Sequence, residues 1–262
     1  MAAVDGVITL DGVALGYGGA PVLADVDLAL PAGTLTALIG PNGSGKSTLL
    51  HGIAGLITPS AGTIAVLGQP PERVRARIAY VLQRTEDNAL LPVSGREVVA
   101  MARYAHRGLL GRLRAADRAA VDSALQRMDA TGLADSQLRE LSGGQQQRLL
   151  IAQGLAQDAD VLLLDEPVTG LDLVSRDAIL DVVRAERDAG RSVVMTTHEM
   201  ADARAADLVV LLAGRVLAVG PPDEVLTAEH LQAAYGARPI VVGDHVVLDD
   251  PHHHHDHRAQ ER

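Results

Sequence analysis

The run Gly40-Pro41-Asn42-Gly43-Ser44-Gly45-Lys46-Ser47 constrains the fold more than any other stretch of the chain. It fits the pattern G-x-x-x-x-G-K-[ST], in which glycines let the backbone turn its N–H groups inward around a phosphate. The pattern carries weight only between a strand and a helix, and both flanks comply. Thr34 to Ile39 is a short apolar run that reads as a buried strand, and Ser47 to Leu56 reads as a helix. A helix starting near Lys46 adds about half a positive charge at its N-terminus. Lys46 is then expected to reach the β- and γ-phosphates of a nucleotide, and the Ser47 hydroxyl to ligate Mg2+. A merely flexible Gly/Ser loop explains neither the lysine nor the flanks.

Two further strand ends carry polar residues that suit phosphate chemistry. Asp165 and Glu166 directly follow the apolar strand Val161 to Leu164, and open α/β sheets bind ligands beyond the carboxyl ends of their strands. Asp165 suits a water-mediated Mg2+ contact; Glu166 suits orienting or deprotonating an attacking water. Alone, the pair also fits an exposed turn. The strand Ser192 to Thr196 leads to His198, which either contacts the γ-phosphate or is structural.

A second glycine-bearing helix start follows Leu141. Ser142 is a good N-cap before Gly143, Gly144 and Gln145, and Gln146 to Ala156 reads as a helix. This reads either as a plain helix-start turn or as a second anion site. In the latter case the chain has two phosphate loops but one set of metal- and water-handling residues. A two-fold dimer solves this, each nucleotide lying between the Lys46 loop of one copy and the Ser142 loop of the other. Loss of the γ-phosphate would then release the dimer.

Composition narrows the function classes. Thirty-three acidic against 23 basic residues give a net charge of −10, which argues against a nucleic-acid partner. Aromatic residues are 2%, all tyrosine, so base-stacking platforms are scarce, and with no cysteine there is no disulfide framework or thiol chemistry. No apolar run approaches the ~18 residues of a membrane helix; the longest, Leu208 to Val219, is interrupted by Arg215. Met1-Ala2-Ala3-Val4-Asp5 lacks the features of a signal peptide, so a cytoplasmic location is expected.

Along the chain, strands and turns come first, with Asp11-Gly12 reading as a hairpin turn between Gly6 to Leu10 and Val13 to Leu15. From about Arg84 to Ala156 the sequence is rich in Ala, Leu, Arg and Asp at helical spacing, an inserted helical subdomain. Alternating strands and helices follow, including a helix from Ser175 to Ala189 closed by Gly190, and they imply a parallel sheet. The tail after Pro239 is acidic, His-rich and expected to be loosely ordered.

From roughly Val7 to Gly236 these residues resemble the ATP-binding subunit of ABC transporters. The resemblance rests on an ordered set: the Walker A loop Gly40 to Ser47, Gln83 after Ile78-Ala79-Tyr80-Val81-Leu82, the signature Leu141 to Gln145, the Walker B run Leu162 to Glu166, the loop Gly170-Leu171-Asp172, and His198. It implies a RecA-like P-loop NTPase core with a mostly parallel sheet, an N-terminal antiparallel β-subdomain and a helical insertion at about 85–156. The ATP-binding domain would span 1–238, with 239–262 as a tail. It implies an ATPase using ATP and Mg2+. Tyr17 would stack on adenine, a core tyrosine being the alternative, and Gly40, Pro41, Asn42, Gly43, Ser44, Gly45, Lys46, Ser47 and Thr48 would hold the phosphates. Lys46, Glu166 and His198 would serve catalysis, and Ser47, Gln83 and Asp165 the Mg2+. Ser142, Gly143, Gly144, Gln145 and Asp172 would act from the partner copy.

The same resemblance implies a peripheral position on the cytoplasmic face of the membrane, where Thr85 to about Tyr104 receives a helix of an integral permease. An extracytoplasmic metal-binding protein would be an indirect partner. Leu91 to Val99, Met101 to Tyr104 and Pro222 to Gly236 look like the zinc/manganese importer branch, with Gly95 standing where a β-branched residue is common. An iron-chelate or haem importer, or a soluble non-transport ABC ATPase, are the alternatives; no Asn-Lys-x-Asp guanine motif is present. The imidazoles of His252, His253, His254, His255 and His257 could bind a soft divalent metal, or the tail is simply solvated.

Overall fold

Strands that are apolar throughout separate from strands that alternate, and this sorts the chain into two main sheets. The computed structural model describes residues 6–82, 92–107, 111–236, 239–242 and 245–248. Its strands are β1 (Ile8–Leu15), β2 (Leu23–Leu30), β3 (Leu35–Ile39), β4 (Ala61–Val66), β5 (Ile78–Val81), β6 (Val161–Leu164), β7 (Ser192–Thr196), β8 (Leu208–Leu212), β9 (Val216–Gly220), β10 (Pro239–Val242) and β11 (His245–Leu248). Its helices are α1 (Lys46–Ile53), α2 (Gly95–Met101), α3 (Tyr104–Arg107), α4 (Ala115–Arg127), α5 (Gly143–Ala156), α6 (Leu173–Asp188), α7 (Met200–Arg204), α8 (Pro222–Val225) and α9 (Ala228–Tyr235).

Every residue of β3, β6 and β7 is buried, as expected for parallel strands covered on both faces. They lie in a six-stranded sheet of order β5-β6-β7-β3-β8-β9. Neighbours are parallel except β9, which returns antiparallel to β8. The apolar stretch Leu208 to Val219 is thus a hairpin, with Arg215 in its turn accepting from Ala213 N–H at 2.9 Å. The two faces of β6 feed two cores. Val161 and Leu163 pack with α1 and the antiparallel sheet, whereas Leu162 and Leu164 pack with helical residues such as Val98, Leu125 and Leu149.

The antiparallel sheet has order β2-β1-β4, with alternating burial on β1 and β2. Here the expectation of a hairpin at Asp11-Gly12 is corrected: both residues lie inside the single strand β1. Because β1 is the middle strand, partners on both sides hold it straight, and the pair becomes a bulge between Leu10 and Val13. The Gly12 N–H donates to Asp27 Oδ1 on β2 at 2.8 Å.

Helices α2 to α5 all fall between β5 and β6, the helical insertion read from the sequence. The tail differs from expectation at its start. Pro239 to Val242 and His245 to Leu248 pair as an antiparallel ribbon, because β-branched runs flank Gly243-Asp244, a two-residue hairpin signal. Among the described residues no helix is long and apolar enough to cross a membrane.

Candidate functional site

The glycine-rich loop 40–45 joins the carboxyl end of β3 to α1. At Gly40 the backbone runs at φ 149°, and a Cβ there would lie 2.1 Å from the Leu212 carbonyl oxygen, so no side chain fits. Gly45 is the left-handed N-cap of α1, which begins at Lys46. Lys46 Nζ curls back over the loop and donates to the carbonyls of Gly40 (2.8 Å) and Pro41 (3.1 Å). Burial pushes its pKa below the ordinary lysine value, while the Glu166 and Asp165 carboxylates pull it back up. Asn42, Gly43, Ser44, Gly45, Lys46, Ser47 and Thr48 line a cleft of about 180 Å³, together with Glu166.

Parallel pairing sets the acidic end of the site. Leu164 of β6 stands opposite Met195 of β7, so the next residues, Asp165 and Thr196, meet side by side. Thr196 Oγ1 donates to Asp165 Oδ1 at 2.8 Å and accepts from Glu166 N–H at 2.7 Å. Asp165 is buried and also receives the Tyr80 hydroxyl, at 3.3 Å. Glu166 has left-handed backbone, φ 48°, and its Oε1 lies 2.7 Å from His198 Nε2. The chain thus brings Lys46, Asp165, Glu166 and His198 to the carboxyl ends of three adjacent strands.

Tyr17 is 60% exposed, which removes the alternative of a core tyrosine. Its hydroxyl meets His51 Nδ1 of α1, and the His51 ring stands edge-on to both Tyr17 and Tyr80, with centroids 6.0 and 5.5 Å away. The Ser142 loop is built as a helix start. Ser142 Oγ accepts from Gln145 N–H while Gln145 Oε1 accepts from Ser142 N–H at 2.9 Å, and both residues sit apart from the cleft around Lys46. It adjoins Asp172 instead: a Cβ on Gly144 would lie 3.7 Å from Asp172 Oδ2. Asp172 caps α6, accepting from Ser175 N–H at 2.9 Å, and these bonds hold its carboxyl below the ordinary aspartate range. Ser142 and Gln145 are thus not among the residues that line the cleft around Lys46.

Gln83 and His252, His253, His254, His255 and His257 lie outside the described residues. The site also contains residues that the sequence reading did not single out: Thr196, Tyr80 and His51. The signal for Thr196 was a polar pair, Thr196-Thr197, closing an otherwise apolar strand. His51 and Tyr80 carry no local signal, since only the packing of α1 on β5 joins them.

Two observations test the fit of an anionic nucleotide and its cation. The Ser44 hydroxyl is buried at the loop without a hydrogen-bond partner, and the Ser47 hydroxyl and Asp165 carboxylate are the hard oxygen donors that Mg2+ prefers. The residues present fit both.

Comparison with known proteins gives concordant results. The family model described as ABC transporter matches residues 23–169. The manganese transport system ATP-binding protein MntB of Bacillus subtilis is 38% identical over 92% of this chain and 97% of its own length. The zinc transport system ATP-binding protein TroB of Treponema pallidum is 38% identical over 88% of this chain and 87% of its own. Among solved structures, an inward-facing conformation of a putative metal-chelate type ABC transporter superposes with a TM-score of 0.76 at 28% identity, covering 88% of this chain and 89% of that one. A dimeric post-hydrolysis state of the ATP-binding cassette MJ0796 bound to ADP and Pi gives 0.73 at 26%, covering 82% and 98%.

Proposed function

The chain belongs to the ABC transporter family of ATP-binding, ATP-hydrolysing subunits, and from that premise we propose that it powers import of a divalent metal ion, manganese or zinc, through a membrane permease. The observation that carries the ATPase reading is the meeting of Lys46, Asp165, Glu166 and His198 at adjoining strand ends. The manganese and zinc systems among its relatives support the choice of cargo. A chelate importer has in its favour one sequence relative, the chelated iron transport system membrane protein YfeB of Yersinia pestis, 36% identical over 87% of this chain, and a structural likeness at 28% identity.

In this reading the loop N–H groups and Lys46 bind the phosphates, and Tyr17 takes the adenine. Glu166 accepts a proton from water as the water attacks the γ-phosphorus, and the bond to the bridging oxygen breaks to release ADP and phosphate. His198 holds the carboxylate of Glu166 and faces the same phosphate. Ser47 and Asp165, with Gln83, would hold Mg2+, which neutralises phosphate charge when bound. Ser142, Gly143, Gly144, Gln145 and Asp172 come from a second copy and close the site. That reading is supported by the separation of the two phosphate loops within one chain.

The permease seat is the apolar groove of about 200 Å³ lined by Tyr80, Leu82, Val98, Met101 and Leu150. Leu82 and Met101 are exposed there. Docking would hold the chain peripherally at the cytoplasmic face, with an extracytoplasmic metal-binding protein delivering cargo on the other side. The test is metal content in cells lacking this chain, measured for zinc, manganese and iron together. A selective fall in manganese or zinc, restored by the chain, supports the reading; a fall confined to iron would replace it with the chelate importer.

A further inference from the structure

Two contacts on Glu166 come from the end of β7 and the residues just after it. His198 meets its carboxylate, and the Thr196 hydroxyl accepts its backbone N–H. The second hold matters because Glu166 occupies left-handed backbone, a conformation that a residue with a side chain adopts only when its surroundings impose it. In that conformation the Glu166 N–H bonds to a side chain, Thr196, that the parallel register delivers to this spot. A hydroxyl has one hydrogen and two acceptor positions. Here the hydrogen goes to Asp165 Oδ1 and one acceptor position takes Glu166 N–H. Thr196 is fully buried, so water does not replace either bond.

We infer that Thr196 is a positioning residue for the hydrolytic step: its hydroxyl fixes the backbone of Glu166, and so the aim of the carboxylate, while orienting Asp165. The inference rests on the reading of Glu166 as the water-handling carboxylate. Valine matches threonine in shape but has no hydroxyl, so Thr196→Val leaves a buried N–H and a carboxylate oxygen each short of a partner. Glu166 can relieve this by leaving the left-handed conformation, which swings its carboxylate. Displacements of about 1 Å in such a site lower rates up to a hundredfold. Thr196 does not line the phosphate cleft, so the loop contacts proposed to hold the ATP phosphates stay in place and the loss is expected in kcat more than in KM.

The experiment is steady-state turnover of the full chain with ATP and Mg2+ for T196V, T196S and E166Q, with melting temperatures alongside. Expected for T196V is a kcat lower by about tenfold or more with KM for ATP within about twofold, and for T196S a kcat near wild type. Wild-type kcat in T196V overturns the inference, as does a loss shared equally by T196S, which would make the role one of packing. Should T196V fail to fold, T196A against T196S gives the same comparison: a low rate for Ala and a high one for Ser supports the role, and equal rates remove it. Undiminished turnover in E166Q would instead remove the assignment of Glu166 itself, whatever Thr196 does.

Discussion

Replacing Glu166 by Gln keeps the side chain's shape and its contact with His198 but removes the carboxylate proposed to accept a proton from water. The expected result is ATP binding without turnover, a loss of at least about a hundredfold, with a nucleotide-bound dimer accumulating on a sizing column. Wild-type hydrolysis by E166Q would take the residue out of the mechanism. Residues of this kind were legible in the sequence when their signal was contiguous. Gly40 to Ser47 could be read because loop, lysine and helix start are successive in the chain, and Asp165-Glu166 because they end an apolar strand. The partners of Thr196 and His51 were not legible, because they are 30 and 34 residues away and meet them only through strand register or helix packing.

At the scale of elements the helical insertion is held by a buried carboxylate. Asp117 of α4 accepts from Arg103 Nε (3.1 Å), Arg107 Nε (2.9 Å) and the Arg114 N–H (2.8 Å). Arg103 continues to the Ala156 carbonyl at the end of α5, at 2.7 Å, so one charge joins α3, α4 and α5. These hydrogen bonds, from the Arg114 backbone first and then Arg107, hold the Asp117 carboxyl well below its ordinary value of 3.8. A carboxyl depressed by folding stabilises the native state fully above its unfolded pKa, and the contribution is lost as pH falls from there towards the folded value. Asp117→Asn is therefore expected to lower the melting temperature by several degrees near neutrality. The gap to wild type should shrink once pH drops below about 4, the unfolded value. A gap independent of pH in that range would mean that shape, not charge, holds the three helices.

Element boundaries show what local sequence does not encode. Asp11-Gly12 carries a sound turn signal, yet β1 runs through it because β2 and β4 pair with it on either side. The parallel order of β5, β6, β7, β3 and β8 was legible from alternation of apolar runs with helices, but the reversal at β9 was not, since Arg215 marks only a break in an apolar stretch. Gly95, where the family commonly has a β-branched residue, has a packing reason: a Cβ there would lie 2.5 Å from the Leu133 carbonyl oxygen. The glycine lets α2 sit close against that turn.

For the whole molecule, the separation of the Lys46 and Ser142 loops makes a prediction about pairs of chains. If each nucleotide is held by the Lys46 loop of one copy and the Ser142 loop of the other, Lys46→Ala and Ser142→Arg disable the same site from opposite sides. A dimer of K46A chains has no site with its lysine, and a dimer of S142R chains has no site with its serine loop. In the mixed dimer both defects fall on one site, and the other has a native Lys46 loop facing a native Ser142 loop. Neither variant alone is expected to retain nucleotide or turn it over. An equal mixture should hold one ATP per mixed dimer when the S142R chain also carries E166Q, since that chain then supplies the Lys46 loop of the intact site. Random pairing makes half of the dimers mixed, each with one of two sites intact, so sites acting independently recover about a quarter of wild-type turnover when Glu166 is native. Were both loops to serve a nucleotide within a single chain, every site in the mixture would carry a defect. No nucleotide would then be retained at any mixing ratio, which is the result that would break the link between ATP binding and dimer closure on which the proposed transport cycle rests.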